Sequence, residues 1–133
     1  MSYFGAVRLR EGKLVVSRPS GNFDGQTCLK FFKKLKRHRR AGKKMAVIID
    51  NARYHHASVH EAWRRSVAPV FKLHFLPPYS PELNPIERVW KLARRRCVHN
   101  RYFKTLEEVS AALEPTFRLW SRPNLTLKRL CSI

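Results

Sequence analysis

Alternating apolar and polar positions open the chain. Tyr3-Phe4-Gly5-Ala6-Val7-Arg8-Leu9 and Leu14-Val15-Val16-Ser17 read as two short strands, and Glu11-Gly12 between them is a turn signal, so the pattern predicts a β-hairpin. From about Asp24 to Arg40 the apolar positions Cys28, Leu29, Phe31, Phe32 and Leu35 follow helical spacing. Met45-Ala46-Val47-Ile48-Ile49 is a continuous apolar run, which suits a strand buried on both faces of an α/β sheet. Ser58-Val59-His60-Glu61 has capping-box spacing and predicts a helix to about Val67. Val70 to Phe75 alternates again and reads as a strand. A helix from Pro85 follows, with Ile86, Val89, Trp90, Ala93 and Cys97 on one face, and Thr105-Leu106-Glu107-Glu108 opens a last helix through roughly Trp120, with Pro115 as the place for a bend. Hairpin, helix, strand, helix, strand, helix, helix is an α/β order, without internal repeat or flexible linker.

From the last strand into the helix at Pro85 runs Leu76-Pro77-Pro78-Tyr79-Ser80-Pro81-Glu82-Leu83-Asn84-Pro85-Ile86-Glu87. Each proline fixes its own φ and pushes the residue before it towards extended geometry, so the loop is stiff. Asn84 suits an N-cap and Pro85 suits the first helical position. The loop therefore delivers one carboxylate, Glu87, to a fixed place.

Charge changes the picture most. The 133 residues carry 28 Lys and Arg against 9 Asp and Glu, a net charge of +19, which implies a polyanionic partner, nucleic acid before any other. Length fits one domain with a real core. No segment pairs a large apolar face with a basic one over several turns, so a membrane surface is disfavoured. Lys33-Lys34-Leu35-Lys36-Arg37-His38-Arg39-Arg40 concentrates seven basic residues in eight at a helix end. Cations complement the dipole there, and they also suit phosphate contact. Cys28, Cys97 and Cys131 are odd in number and form no CxxC pair, which argues against a disulfide framework or zinc ribbon and for a reducing cytoplasm. No run approaches a membrane span and no signal peptide opens the chain, so a soluble, intracellular protein is expected.

The nine carboxylates sort by context. Glu61 and Glu108 belong to capping boxes, Glu11 to a turn, and Asp24 to a helix start; Glu107 and Glu114 look solvated, and Glu82 sits in the stiff loop. Asp50 follows an apolar strand directly, at the strand end where open α/β sheets hold ligands, although an Asx turn also explains it. Glu87 has capping-box spacing to Asn84 and stands four residues before Lys91, so a cap or an ion pair explains it alone. Together, two carboxylates at one sheet edge suit a divalent metal held against a phosphodiester. His56 and His60 are four apart with no third ligand and no HExxH, so no zinc site is expected. Trp63, Trp90 and Trp120 read as core anchors.

Val47-Ile48-Ile49-Asp50-Asn51-Ala52-Arg53-Tyr54-His55-His56, followed by Leu76 through Trp90, closely resembles the DDE transposases of bacterial insertion sequences related to Tc/mariner elements. The resemblance covers roughly residues 3 to 113. It implies a ribonuclease-H-like catalytic domain that cuts and joins DNA with two Mg²⁺ or Mn²⁺ ions. Asp50 then corresponds to the second catalytic acid and Glu87 to the third, both as metal ligands. Asn51 and the His55-His56 pair lie in the matched motif without an assigned role. Lys33, Lys34, Lys36, Arg37, Arg39, Arg40, Lys91, Arg94 and Arg95 are the expected DNA-gripping cations, with transposon ends and target DNA as partners in a bacterial, nucleoid-associated setting.

The family's first acid sits on a strand before the hairpin, and Asp24, after the hairpin, does not replace it. That strand is central in a ribonuclease-H-like sheet, so the expected fold is a single, incomplete domain lacking it. About four buried apolar side chains go with it, at ~2 kcal/mol each. Activity is accordingly not expected from this chain alone. Three readings stay open: a catalytic domain completed by an upstream segment (the downstream half of a split-frame transposase) or working as a homodimer, a non-catalytic basic DNA-binding remnant, and a small basic RNA-associated protein.

Overall fold

The computed structural model describes residues 3–50, 52, 55 and 57–132. The roles considered for Asn51 and His56 lie outside the described residues. The chain divides into two compact units, one made of residues 1–17 with 85–133 and one of residues 18–84.

The first unit begins with the expected hairpin. Strands β1 (Phe4–Arg8) and β2 (Lys13–Ser17) pair antiparallel in the register Phe4↔Ser17 to Arg8↔Lys13. Gly12 turns the hairpin at φ +71, a left-handed conformation that glycine adopts without strain. Three helices complete the unit: α3, numbered in chain order (Pro85–Cys97), α4 (Leu106–Trp120) and α5 (Leu125–Leu130). Helix α3 buries Ile86, Val89, Leu92, Ala93 and Cys97, the apolar stripe of a 3.6-residue period, with Trp90 packed at the margin. Trp90 lies so close over β1 that a Cβ on Gly5 would clash with its ring. Trp120, Phe117 and Leu113 of α4 fill the same core.

Helix α5 lies beyond the last helix that the sequence pattern predicts. Its N-cap Asn124 accepts from the Leu127 amide at 2.9 Å, while its Nδ2 donates to the Gly12 carbonyl at 2.8 Å, so the cap also clasps the hairpin turn. Helix α4 is capped by Thr105, whose Oγ1 accepts from the Glu108 amide at 3.2 Å; Glu108 reaches back to the Lys104 amide at 2.8 Å. Pro115 lies inside α4, which runs without interruption. Glu114 is not simply solvated, since it accepts from the Tyr3 hydroxyl at 3.4 Å.

The second unit holds α1 (Gly25–Arg37), β3 (Met45–Ile49), α2 (Glu61–Val67) and β4 (Phe71–Phe75). Helix α1 ends at Arg37, three residues before the expected limit. Asp24 caps it in a capping box with Thr27; the Thr27 amide bond holds the Asp24 carboxyl below its ordinary pKa. Phe32 is the centre of this unit's packing, fully buried, with the rings of His60, Trp63 and Phe71 around it. Two expectations fail here. Ser58 does not cap α2: residues Ser58–His60 form a 3-10 turn, α2 has no side-chain cap, and Glu61 pairs with Arg65 at 2.8 Å instead. The reason is that His60, buried against Phe32, draws the chain into a tighter turn before the helix starts. Strand β3 is not buried on both faces either, because Ala46 is exposed and Ile48 is 47% exposed.

Strands β3 and β4 run parallel in the register Met45↔Phe71 to Ile49↔Phe75. Among the described residues the four strands form two separate two-stranded sheets, β1–β2 and β3–β4. No described helix is long and apolar enough to cross a membrane.

Candidate active site and nucleic-acid interface

Parallel pairing puts the C-terminal ends of β3 and β4 at the same edge of their sheet. The ladder closes there with the Leu76 amide donating to the Ile49 carbonyl at 2.8 Å. Asp50 is the next residue on one strand, and the Pro77-Pro78 turn follows on the other. This is the edge where open parallel sheets hold ligands.

Asp50 is held in two ways. Its Oδ1 accepts from the Ala52 amide at 3.0 Å, the Asx turn that the sequence allowed. The same oxygen lies 2.9 Å from His55 Nδ1, which is also 3.1 Å from the Asp50 carbonyl. Both of those oxygens can only accept, so Nδ1 carries the hydrogen and donates. His55 is buried, whereas about half of the Asp50 side chain is open to solvent. The imidazole thus fixes one face of a carboxylate whose other face is available. The sequence alone assigns His55 no role; its only signal there is an acid at a strand end with a histidine five residues on.

The proline-rich loop from Leu76 leads on to α3. Tyr79 stands fully exposed at φ +59, a conformation unfavourable for a residue with a Cβ, and residues Pro81–Leu83 form a 3-10 turn. Glu82 is exposed there. Asn84 is buried with extended backbone, and the chain enters α3 at Pro85.

Glu87 lies in the first turn of α3, partly buried. Among the described residues its carboxylate has no hydrogen bond and no ion pair, so neither the reciprocal cap with Asn84 nor the bridge to Lys91 forms. A helix N-terminus favours a negative charge there, yet the carboxylate oxygens stay open to a cation. Asp50 belongs to the unit of residues 18–84 and Glu87 to the other. Among the described residues no three His, Cys, Asp or Glu side chains gather as a metal-binding group.

The cations divide by what they touch. Lys33, Lys36 and Arg37 project from α1, and no described carboxylate pairs with them. Lys34 and Arg40 have interactions of their own. Arg39 lies past the helix and braces the following loop, donating to the Lys43 carbonyl at 2.6 Å. Lys91, Arg94 and Arg95 are exposed on α3. Trp63 is only partly buried: it stacks on Phe32 with ring centroids 6.4 Å apart at 10°, and it makes a T-shaped contact with Phe71.

Comparison with known proteins adds the family. The sequence profile of the DDE superfamily endonucleases matches residues 1–110. The uncharacterized protein y4pE/y4sA of Sinorhizobium fredii (strain NBRC 101917 / NGR234) is 37% identical over 68 residues, which are 51% of this chain and 47% of that protein. The insertion element IS630 uncharacterized 39 kDa protein of Shigella sonnei is 31% identical over 90 residues, 67% of this chain and 26% of that protein. The matched parts thus span about half and about a quarter of those relatives. With the profile covering most of its length, the chain belongs to the DDE superfamily of endonucleases.

Proposed function

We propose that the chain is part of a transposase catalytic domain, single and ribonuclease-H-like, that cleaves and rejoins DNA with divalent metal at Asp50 and Glu87. The observation that carries the reading is Glu87, a partly buried carboxylate placed by a proline-stiffened loop and engaged by no described residue. Asp50 supports it, as a half-open carboxylate at the C-terminal edge of a parallel pair. Both donors are hard oxygens, which fit Mg²⁺ or Mn²⁺. Such ions, when bound, stabilise the attacking and leaving oxygens of a phosphodiester displacement. The chain's own residues do the rest. The His55 imidazole holds Asp50 in one orientation, and Lys33, Lys36, Arg37, Lys91, Arg94 and Arg95 hold the phosphate backbone.

In this reading a third acid is supplied by an upstream segment, since most of the other carboxylates are engaged. Glu11 pairs with Arg8, Asp24 caps α1, Glu61 pairs with Arg65, Glu108 caps α4 and Glu114 takes the Tyr3 hydroxyl. Among the described residues each sheet has only two strands, and the edges this leaves favour a further strand supplied by an upstream segment.

Nicking of supercoiled and element-end DNA in Mg²⁺ or Mn²⁺ tests the reading. The 133-residue chain is expected to bind DNA and leave it uncut, while a version extended upstream cuts it and loses activity with Asp50→Ala or Glu87→Ala. Cutting that survives both substitutions would overturn the site. An extended protein that binds DNA and never cuts would establish the non-catalytic remnant.

A further inference from the structure

A shallow open cavity of about 250 Å³ lies between α1 and α2, lined by Lys33, Lys36, Arg37 and Trp63. Positions 33, 36 and 37 are spaced i, i+3 and i+4, so their side chains share one helix face. Beside them, Trp63 is fixed: Phe32 stacks against it and Phe71 meets it in a T-shaped contact, while part of the indole borders the cavity. The neighbouring arginines of α2 are committed elsewhere, Arg64 Nε donating to His60 Nδ1 at 2.9 Å and Arg65 pairing with Glu61. A core anchor needs no ring of cations at its open side, and a merely solvated helix end needs no aromatic platform.

We infer that this cavity is a subsite for one unpaired nucleotide of single-stranded DNA, its base lying against Trp63 and its phosphate held by Lys33, Lys36 and Arg37. The volume falls just under the roughly 300–1,000 Å³ of ordinary small-ligand pockets, which suits one base with its phosphate. Proteins that track single strands combine these same two parts, an aromatic ring to stack on and a positive channel for the backbone. The rigid backing of Phe32 and Phe71 means that Trp63 need not be ordered when the base arrives. The inference rests on the DNA-binding part of the proposed function and is independent of metal at Asp50 and Glu87.

Fluorescence anisotropy with a labelled single-stranded oligonucleotide, its duplex and an abasic single strand of equal length tests it. The wild-type chain is expected to bind the single strand roughly tenfold more tightly than the abasic strand, the worth of stacking one base. Trp63→Leu erases that difference and leaves duplex affinity within about twofold, while Trp63→Phe retains most of it. Lys36→Ala weakens binding to all three and lowers the single-strand salt slope by about 0.7. Equal affinity of the wild type for the normal and abasic strands would overturn the subsite without calling on any variant to fold. Failure of the wild type to bind any of the three would instead defeat DNA binding itself.

Discussion

Replacing Asn124 with alanine tests the joint that ties the last helix to the hairpin. Four contacts end with that side chain. The Leu127 amide loses its cap acceptor at 2.9 Å, the Gly12 carbonyl loses a donor at 2.8 Å, the Arg122 carbonyl loses one at 2.9 Å, and the Trp120 carbonyl loses a long one at 3.4 Å. Removing an N-cap costs about 1 kcal/mol. The Gly12 contact adds about 1 kcal/mol, and the Arg122 bond, being exposed, adds little. The Asn124 amide still donates to the Glu11 and Gly12 carbonyls, so the turn is loosened and not released. The expected loss is therefore about 2 kcal/mol. With an unfolding entropy near 2.1 cal/mol/K per residue, a chain of this length loses roughly 7 °C in Tm. Thermal melts followed by circular dichroism read that shift. Asn124→Asp keeps the cap acceptor and loses the Nδ2 donors, so it should fall about halfway. An Asn124→Ala protein melting within about 2 °C of wild type would refute the clasp, and equal losses for Ala and Asp would assign the whole effect to the donors.

Three further outcomes rest on Glu87 and Cys28. Glu87→Ala should change stability by no more than about 0.5 kcal/mol, since the carboxylate bonds to no described group; a loss of about 1 kcal/mol or more would return Glu87 to a capping role. Burial pushes the Cys28 thiol up to about 12, opposed by Arg64 and reinforced by Asp50, so it should resist a thiol reagent at pH 8 until urea unfolds the protein; prompt modification of the native form would contradict its burial. The folded state holds that proton where an unfolded thiol, near its ordinary 9, has lost it. Cys28 therefore makes stability fall as pH rises from about 9 towards about 12, which urea titrations across that range would register.

The elements with strong period were legible in the sequence. The hairpin, α1, β4, α3 and α4 stand where alternation and helical spacing placed them, because each has one face to bury. The family was legible too, in the blocks around Asp50 and Glu87. Elsewhere local pattern met tertiary packing and lost. Helix α5 is six residues long, too short for a period to show, and its one signal was an asparagine after a proline. Ser58 had the spacing of a cap, but His60, buried on Phe32, made the first turn 3-10. The run Met45–Ile49 looked fully buried because every residue is apolar, yet its exposed face depends on what neighbours β3, which the run itself does not encode. Of the site, Asp50's strand-end place was readable. His55 as its partner was not, nor was Trp63 as an open platform, since both depend on side chains brought together by folding.

Iron-directed cleavage of the protein backbone tests most directly the proposal that Asp50 and Glu87 bind one metal centre. Fe²⁺ with ascorbate and peroxide, substituted for Mg²⁺, cuts the chain beside the bound ion. Two cuts are predicted, near residue 50 and near residue 87, suppressed by excess Mg²⁺ and both weakened by either Asp50→Ala or Glu87→Ala. Cuts away from both positions, or cuts at one that ignore substitution at the other, would contradict a shared site.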